Sequence, residues 1–398
     1  MSRDDRPRVL YLTHRVPFPP DKGDRIRNFH VLRELSKVAR VWLAALADEP
    51  VTDAQREALG AICERVELVP ASGKVRWLRA GLSFLGGRSL SEGLFREPKL
   101  DALLARWQTD AGFAATLVSA SSLAPYQRRH GFDAIPAHVD LVDVDSQKWF
   151  DFAAATRGPK GWLFRCEGHR VRKLEIEIAA WAKTLSLVSK AETILFDGFT
   201  RPGTATTASN GVDLSYFQPE PEVAIEPACV FVGAMDYFPN VDAACWFARD
   251  IWPSIHRDWP EGEFRIVGRK PTSEVLKLAE IPGVKVLGTV PDVRPYVASA
   301  MLAVGPIRVA RGLQNKVIEA MAMGKPTLAA PAAIAALEVE IGRDLLSPRT
   351  EVEWIEQVRE LVLDADRRRE LGHAARSYVE THHRWDRCLQ PLLRRIVP

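Results

Sequence analysis

Along the first half of the chain, short apolar runs alternate with amphipathic stretches. RVLYLTH (8–14) has the length and composition of a buried strand. Ile26, Phe29, Leu32 and Leu35 then fall at helical spacing and predict a helix over about 24–38. VWLAAL (41–46), VELVP (66–70), ATLVSAS (115–121), AHVDLVDVD (137–145) and KTLSLVS (183–189) predict further strands, with a long helix over about 162–182 before the last. Strands joined by helical crossovers run parallel, and a parallel sheet is covered on both faces.

The alternation lapses over SNGVDLSYFQPEPEVAIEPA (209–228), which is rich in Pro, Gly and acids and has neither period, as a linker would be. It resumes with strands at CVFVGA (229–234), EFRIVG (263–268), VKVLG (284–288), MLAVGP (301–306) and PTLAA (326–330). Helices are expected at about 240–256, 272–280, 314–323 and 351–380. The expected organisation is α/β. A first Rossmann-like domain spans 1–212 and a second 213–380. A C-terminal helix, 381–398, crosses back to the first. Two such sheets leave a cleft, with ligands at the carboxyl ends of the strands.

Composition narrows the classes. In 398 residues, 54 Lys and Arg oppose 51 Asp and Glu, a net charge of +3, which argues against a general polyanion or nucleic-acid binder. Five scattered cysteines, none with CxxC spacing, form neither a disulfide framework nor a zinc site. With no apolar leader and no run of 18 apolar residues, a cytoplasmic protein is expected.

The charge pattern is unusual at RGLQNKVIEAMAMGKP (311–326). Arg308, Arg311 and Lys316 crowd the place where a helix begins, although a helix N-terminus disfavours cations. A bound anion resolves the conflict, because the free N–H groups of Gln314, Asn315 and Lys316 would point at it. Glu319, one turn further on the same face, would accept hydrogen bonds from a ribose diol. Phosphate at the helix end and a diol one turn away describe a nucleoside diphosphate. A solvated surface cluster, with Glu319 pairing Lys316, is the alternative. Gly324 is expected to end the helix in the left-handed conformation.

NKVIEAMAMGKPTLAA (315–330) closely resembles the nucleotide-sugar helix of glycosyltransferase family 4, retaining enzymes of the GT-B fold. SNGVD (209–213), FVGAMDYFPNVDAACWF (231–247) and VKVLGTVPDVRPYVASAMLAVGP (284–306) resemble other segments of that family. LYLTHRVPFPPDKGDRIRNFHVLREL (10–35) and VDVDSQKW (142–149) resemble one branch, the sugar transferases found with PEP-CTERM/exosortase exopolysaccharide loci. The resemblance implies two Rossmann-like domains with parallel sheets facing across a cleft. It assigns ribose binding to Glu319, the second glutamate of an E-x7-E motif; the first falls on Arg311. Relatives hold the diphosphate with basic residues in the loop after the first strand of the second domain, here the loop of Gly233, which has none. Lys316, Arg308 or Arg269 would supply the charge. The loop of Gly288 resembles the one that reads the base.

On the acceptor side, Lys22 and Gly23 before Asp24 suit an anion-binding nest, with Asp24 capping the helix; a purely geometric turn is the alternative. His14, at a strand end, and Asp143 and Asp145, on one face of VDLVDVD, are the candidate catalytic groups; each also has a structural reading. No metal or other cofactor is expected, since cations can neutralise a diphosphate. Residues 74–97 mix Lys74, Arg76, Arg79 and Arg88 with Trp77, Leu78, Leu82, Phe84 and Leu85. They suit attachment to an anionic membrane or, equally, a packed helix with snorkelling cations. The leading expectation is transfer of a sugar from a nucleotide donor to a glycan or lipid-linked acceptor at the inner face of the plasma membrane. A non-catalytic nucleotide-binding subunit and a sugar-nucleotide epimerase are the alternatives.

Overall fold

The computed structural model describes residues 5–21, 23–71, 73–310 and 312–397. Lys22 and Arg311 lie outside them. The chain divides into two units, one comprising Met1–Ser209 with Leu389–Pro398, the other Asn210–Cys388.

The first unit contains β1 (Arg8–Thr13), β2 (Arg40–Ala47), β3 (Arg65–Pro70), β4 (Ala115–Ser119), β5 (Ala137–Val142), β6 (Thr184–Leu187) and β7 (Ala205–Thr207). They form one sheet in the order β3-β2-β1-β4-β5-β6-β7, every pairing parallel. The strands read as continuous apolar runs because helices cover both faces. Val9, Tyr11, Leu43 and Ala44 are all fully buried. Inside this core Arg27, on the helix Gly23–Leu35, grips Asp140 of β5 through Nε (2.7 Å) and Nη2 (2.8 Å). Ser186 Oγ donates to the same carboxylate at 2.7 Å. A buried ion pair survives only when its hydrogen bonds are completed in this way.

The second unit contains β8 (Glu226–Val232), β9 (Glu263–Val267), β10 (Val284–Gly288), β11 (Ala300–Gly305) and β12 (Thr327–Ala329). Their order is β10-β9-β8-β11-β12, again all parallel. The core packs Phe231, Phe247, Trp252, Phe264 and Trp354. The helix Asn315–Ala322 ends as its residues dictate: Gly324 has φ 68°, and Lys325 N–H reaches back to Ala320 O at 3.1 Å. Gly324→Ala meets no atom closer than 3.5 Å, so its cost is backbone strain alone. We expect a loss of about 1–2 kcal/mol, read by urea unfolding.

Some expected elements are corrected. The strand expected over 137–145 stops at Val142. The helix expected over 351–380 breaks at Asp364, whose side chain accepts Arg367 N–H and so starts a new helix, Ala365–His382. The stretch 240–256 is two helices, Phe238–Trp246 and Trp252–Asp258, around a wider turn at Phe247–Ile251. The linker expected up to residue 228 already pairs as β8 from Glu226. Among the described residues no helix is long and apolar enough to cross a membrane.

Candidate functional site

In the second unit the strand order reverses between β8 and β11, so the loops leaving their carboxyl ends flank the switch point where such sheets bind ligands. Neighbouring loops are stitched together beside it. Gly233 N–H donates to Val267 O, Met235 N–H to Arg269 O and Gly268 N–H to Gly288 O, each at 2.9 Å. The backbones approach so closely that a Cβ on Gly268, at φ 153°, would lie 1.6 Å from Gly233 O.

The helix Asn315–Ala322 opens on Gln314, whose side chain does not cap it. Gln314 Oε1 instead accepts from Lys316 Nζ at 3.3 Å, and Asn240 Oδ1 accepts from the same ammonium at 3.0 Å. Asn240 is itself held by its Nδ2 donating to Ala234 O at 2.9 Å. One lysine thus ties the helix entry to the helix Phe238–Trp246, whose Asn240 is in turn anchored to the loop after β8. Glu319 stands one turn inward and forms no ion pair with Lys316; both side chains are half-buried. Burial lowers Lys316 to about 8, against the attraction of Glu319, and raises Glu319 to about 7, against that of Lys316. A desolvated ammonium beside an uncapped helix end is suited to an anion.

The other residues expected here fall into different settings. Arg308 forks onto Asp242 through Nε (3.1 Å) and Nη2 (2.6 Å) and lies 4.9 Å over the Trp246 ring. Its hydrogen-bonding fork is therefore occupied, which the spacing of cations along the sequence did not indicate. Arg269 is half-buried and has no side-chain partner among the described residues. Asn315 Oδ1 accepts from Asn210 Nδ2 at 3.5 Å. Gly288 has φ 68° at the end of β10. Asn240 and Asp242 were missed as polar members of the site; their only signal was their place in FPNVDAACWF (238–247).

In the first unit the order reverses between β1 and β4. His14 follows β1, with its Nε2 3.3 Å from Asp24 Oδ2, and Arg15 Nη1 donates to the same oxygen at 2.9 Å. Burial alone would raise Asp24, but His14 and then Arg15 outweigh it and hold the carboxyl well below its usual range. Asp24 lies inside the first turn of Gly23–Leu35 rather than before it, so it ties the helix to the strand end.

The turn after β5 is more constrained. Val142 has φ 68°, a costly conformation for a β-branched residue, at a register shift in the β5–β6 pairing. Asp143 and Asp145 do not share a strand face as expected. Asp143 lies in the turn, and Asp145 begins the helix Asp145–Ala155 and accepts from Ser121 Oγ at 2.8 Å. Two buried glutamates from other helices clamp the turn: Val144 N–H donates to Glu192 Oε2 at 2.7 Å and Ser146 N–H to Glu175 Oε1 at 3.0 Å. Burial, then Glu192 and Asp145, raise Asp143 to about 6, and burial raises Glu175 to about 7. Glu175 was legible as an acid on an apolar helical face with Val171 and Ile178; Glu192 gave no such signal. Among the described residues no group of three or more His, Cys, Asp or Glu is placed to hold a metal ion.

Residues 226–364 match the family model described as Glycosyl transferases group 1. No curated protein matches the chain by sequence. Solved structures resemble it over nearly its whole length. HepE of Anabaena, determined in complex with UDP and glucose, is 14% identical, with 98% of each chain covered and a TM-score of 0.68. Sucrose-phosphate synthase of Thermosynechococcus elongatus is 16% identical, with 97% of each covered and a TM-score of 0.70. WaaG, a glycosyltransferase involved in lipopolysaccharide biosynthesis, is 14% identical, with 98% of this chain and 99% of that one covered and a TM-score of 0.67. The two parallel-sheet units therefore have the GT-B fold. The matched segment is a group 1 glycosyltransferase domain, and the chain is a glycosyltransferase.

Proposed function

We propose that the chain is a retaining glycosyltransferase of family 4. In this reading it moves a sugar from a nucleoside-diphosphate donor to a glycan or lipid-linked acceptor in exopolysaccharide assembly. The observation that carries the donor reading is the entry of helix Asn315–Ala322. Lys316 is held there by Asn240 and Gln314 at a helix end that the Gln314 side chain does not cap, with Glu319, which has no ion-pair partner among the described residues, one turn inward. That HepE was determined with UDP supports a nucleotide as the ligand of this fold. Exopolysaccharide assembly rests on the likeness of 10–35 and 142–149 to the PEP-CTERM-associated branch.

The chemistry follows from the roles proposed. The bond between the sugar's anomeric carbon and the leaving phosphate oxygen breaks, and one to the acceptor oxygen forms on the same face. The hydroxyl proton passes to the leaving diphosphate. Lys316 and the helix end stabilise the charge that develops there, so no metal is required for it. Asp143 is proposed to orient the acceptor hydroxyl, with Asp145 and His14 shaping the strand ends beside it.

Membrane attachment is proposed through the helix Val75–Leu85. Val75, Trp77, Leu78, Leu82 and Leu85 are 60% to 83% exposed, an apolar face turned outward. Its cations are tied elsewhere: Arg76 Nη1 donates to Ala71 O at 3.0 Å and Arg79 Nη2 to Glu97 Oε2 at 2.7 Å. A face of this kind suits the surface of an anionic bilayer, here the inner face of the plasma membrane.

Calorimetric titration with UDP, GDP, ADP, CMP and dTDP tests the donor reading. Micromolar binding of one diphosphate is expected. Binding by none of them would reduce the helix entry to surface chemistry and sink the proposal.

A further inference from the structure

A cavity of about 540 Å³ opens in the first unit, of the size that takes a small molecule. Arg79, Arg88, Arg96 and Arg129 line it, against a single acid, Glu92. These arginines come from different segments, so the ring of charge is assembled by the fold. Three of them are fixed in place by carboxylates. Arg79 is held by Glu97 and Arg129 by Asp101, each at 2.7 Å, and Arg88 by Glu92 at 2.8 Å and Glu177 at 3.1 Å. Glu97, Asp101 and Glu177 do not line the cavity. They fix guanidiniums of the cavity wall, and Arg79 and Arg129, each bonded to its carboxylate through a single nitrogen, keep further N–H donors for a second anion. Arg96 is exposed and has no carboxylate partner among the described residues.

The remaining wall is apolar, with Leu82, Pro98, Pro125 and Tyr126. Leu82 is shared between this wall and the exposed face of Val75–Leu85, so a cationic recess continues into an apolar ridge without a break. A free sugar would leave the ridge unused, and an apolar ligand would leave Arg96 unpaired.

We infer that this cavity binds the phosphate head of an anionic lipid, whose chain leaves over Leu82 along the helix Val75–Leu85. The inference deepens the membrane contact proposed above and names the lipid phosphate as what is recognised. It is independent of the nucleotide site.

The test is calorimetry on the full chain with farnesyl phosphate below its micelle concentration, alongside farnesol and inorganic phosphate. UDP is titrated into the same preparation. Farnesyl phosphate should bind at least tenfold more tightly than either control. Arg96→Ala, an exposed site safe for folding, should weaken it at least tenfold and leave UDP binding unchanged. Equal binding of inorganic phosphate would make this a free-phosphate site, and equal binding of farnesol an unselective apolar one; either overturns the inference. So would no binding, or binding indifferent to Arg96→Ala. UDP binding in the same experiment separates those failures from a failure of the donor reading.

Discussion

Asp143→Asn is expected to lower the sugar-transfer rate about 10²–10⁴-fold while leaving donor binding by calorimetry unchanged. The side chain keeps its shape and loses its charge. The turn that carries it is over-determined: a strained Val142 precedes it, and Glu192 and Glu175 bond the backbone on either side of Asp145. A fold that spends two buried carboxylates on one turn is holding its neighbours in place. Two further readouts separate a chemical role from a packing role. Burial, Glu192 and Asp145 raise Asp143 to about 6, so the folded chain binds this proton more tightly than the unfolded chain does. Stability is therefore lost as pH rises from about 4 to about 6. Asparagine, neutral throughout, should be more stable at pH 7.5, by about 1 kcal/mol or roughly 2–4 °C in Tm. Glu192→Gln keeps an oxygen for Val144 N–H but removes a charge facing Asp143, and should move the acid limb of the pH–rate profile to lower pH. A transfer rate unchanged in Asp143→Asn would remove the residue from the chemistry.

Lys316→Ala and Glu319→Ala are each expected to weaken binding of the preferred nucleotide sugar about 10- to 100-fold, or roughly 1.4–2.8 kcal/mol. A charge-assisted contact to phosphate and a carboxylate on a diol are of that size once desolvated. The wild type carries a pH signature as well. Lys316, lowered to about 8 by burial, loses its charge as pH rises through that value. Glu319, raised to about 7 by burial, loses its charge as pH falls through that one. Affinity should therefore peak between them and fall on both sides. The diphosphate of a nucleotide sugar, esterified at both ends, adds no titration of its own in this range. Lys316→Ala should abolish the alkaline fall and Glu319→Ala the acid fall. Wild-type affinity in both variants would show that the donor binds elsewhere.

Much of this was legible along the chain. Six strands of the first sheet and all five of the second follow from apolar runs separated by helical spacing, with ends within a few residues of their observed places; the short β7, Ala205–Thr207, was not expected. Where the reading slipped, hydrogen bonds outweighed periodicity, reaching across the fold in one case and local in the other. VDLVDVD alternates like a strand, but the chain turns at Val142 because Glu192 and Glu175 bond the next backbone N–H groups. The stretch 351–380 keeps a helical period through Asp364, whose capping side chain restarts the helix.

The candidate site divides along the same line. Cations where a helix should begin, and an acid one turn in, are properties of neighbouring residues, and helical geometry is enough to single them out as a candidate anion site. Which cation serves is a long-range matter. Arg308 and Lys316 look alike in the sequence, yet one forks onto Asp242 and the other donates to Asn240, both on the helix after β8. The cavity of the first unit is further from local reach still, since its arginines come from segments spread over 79–129. Periodicity and helix electrostatics act over one or two turns, so the chain by itself determined most of the elements and marked one helix entry as the candidate anion site. Partner choice for each charge depends on desolvation and contact across the fold, and only the tertiary structure decided that.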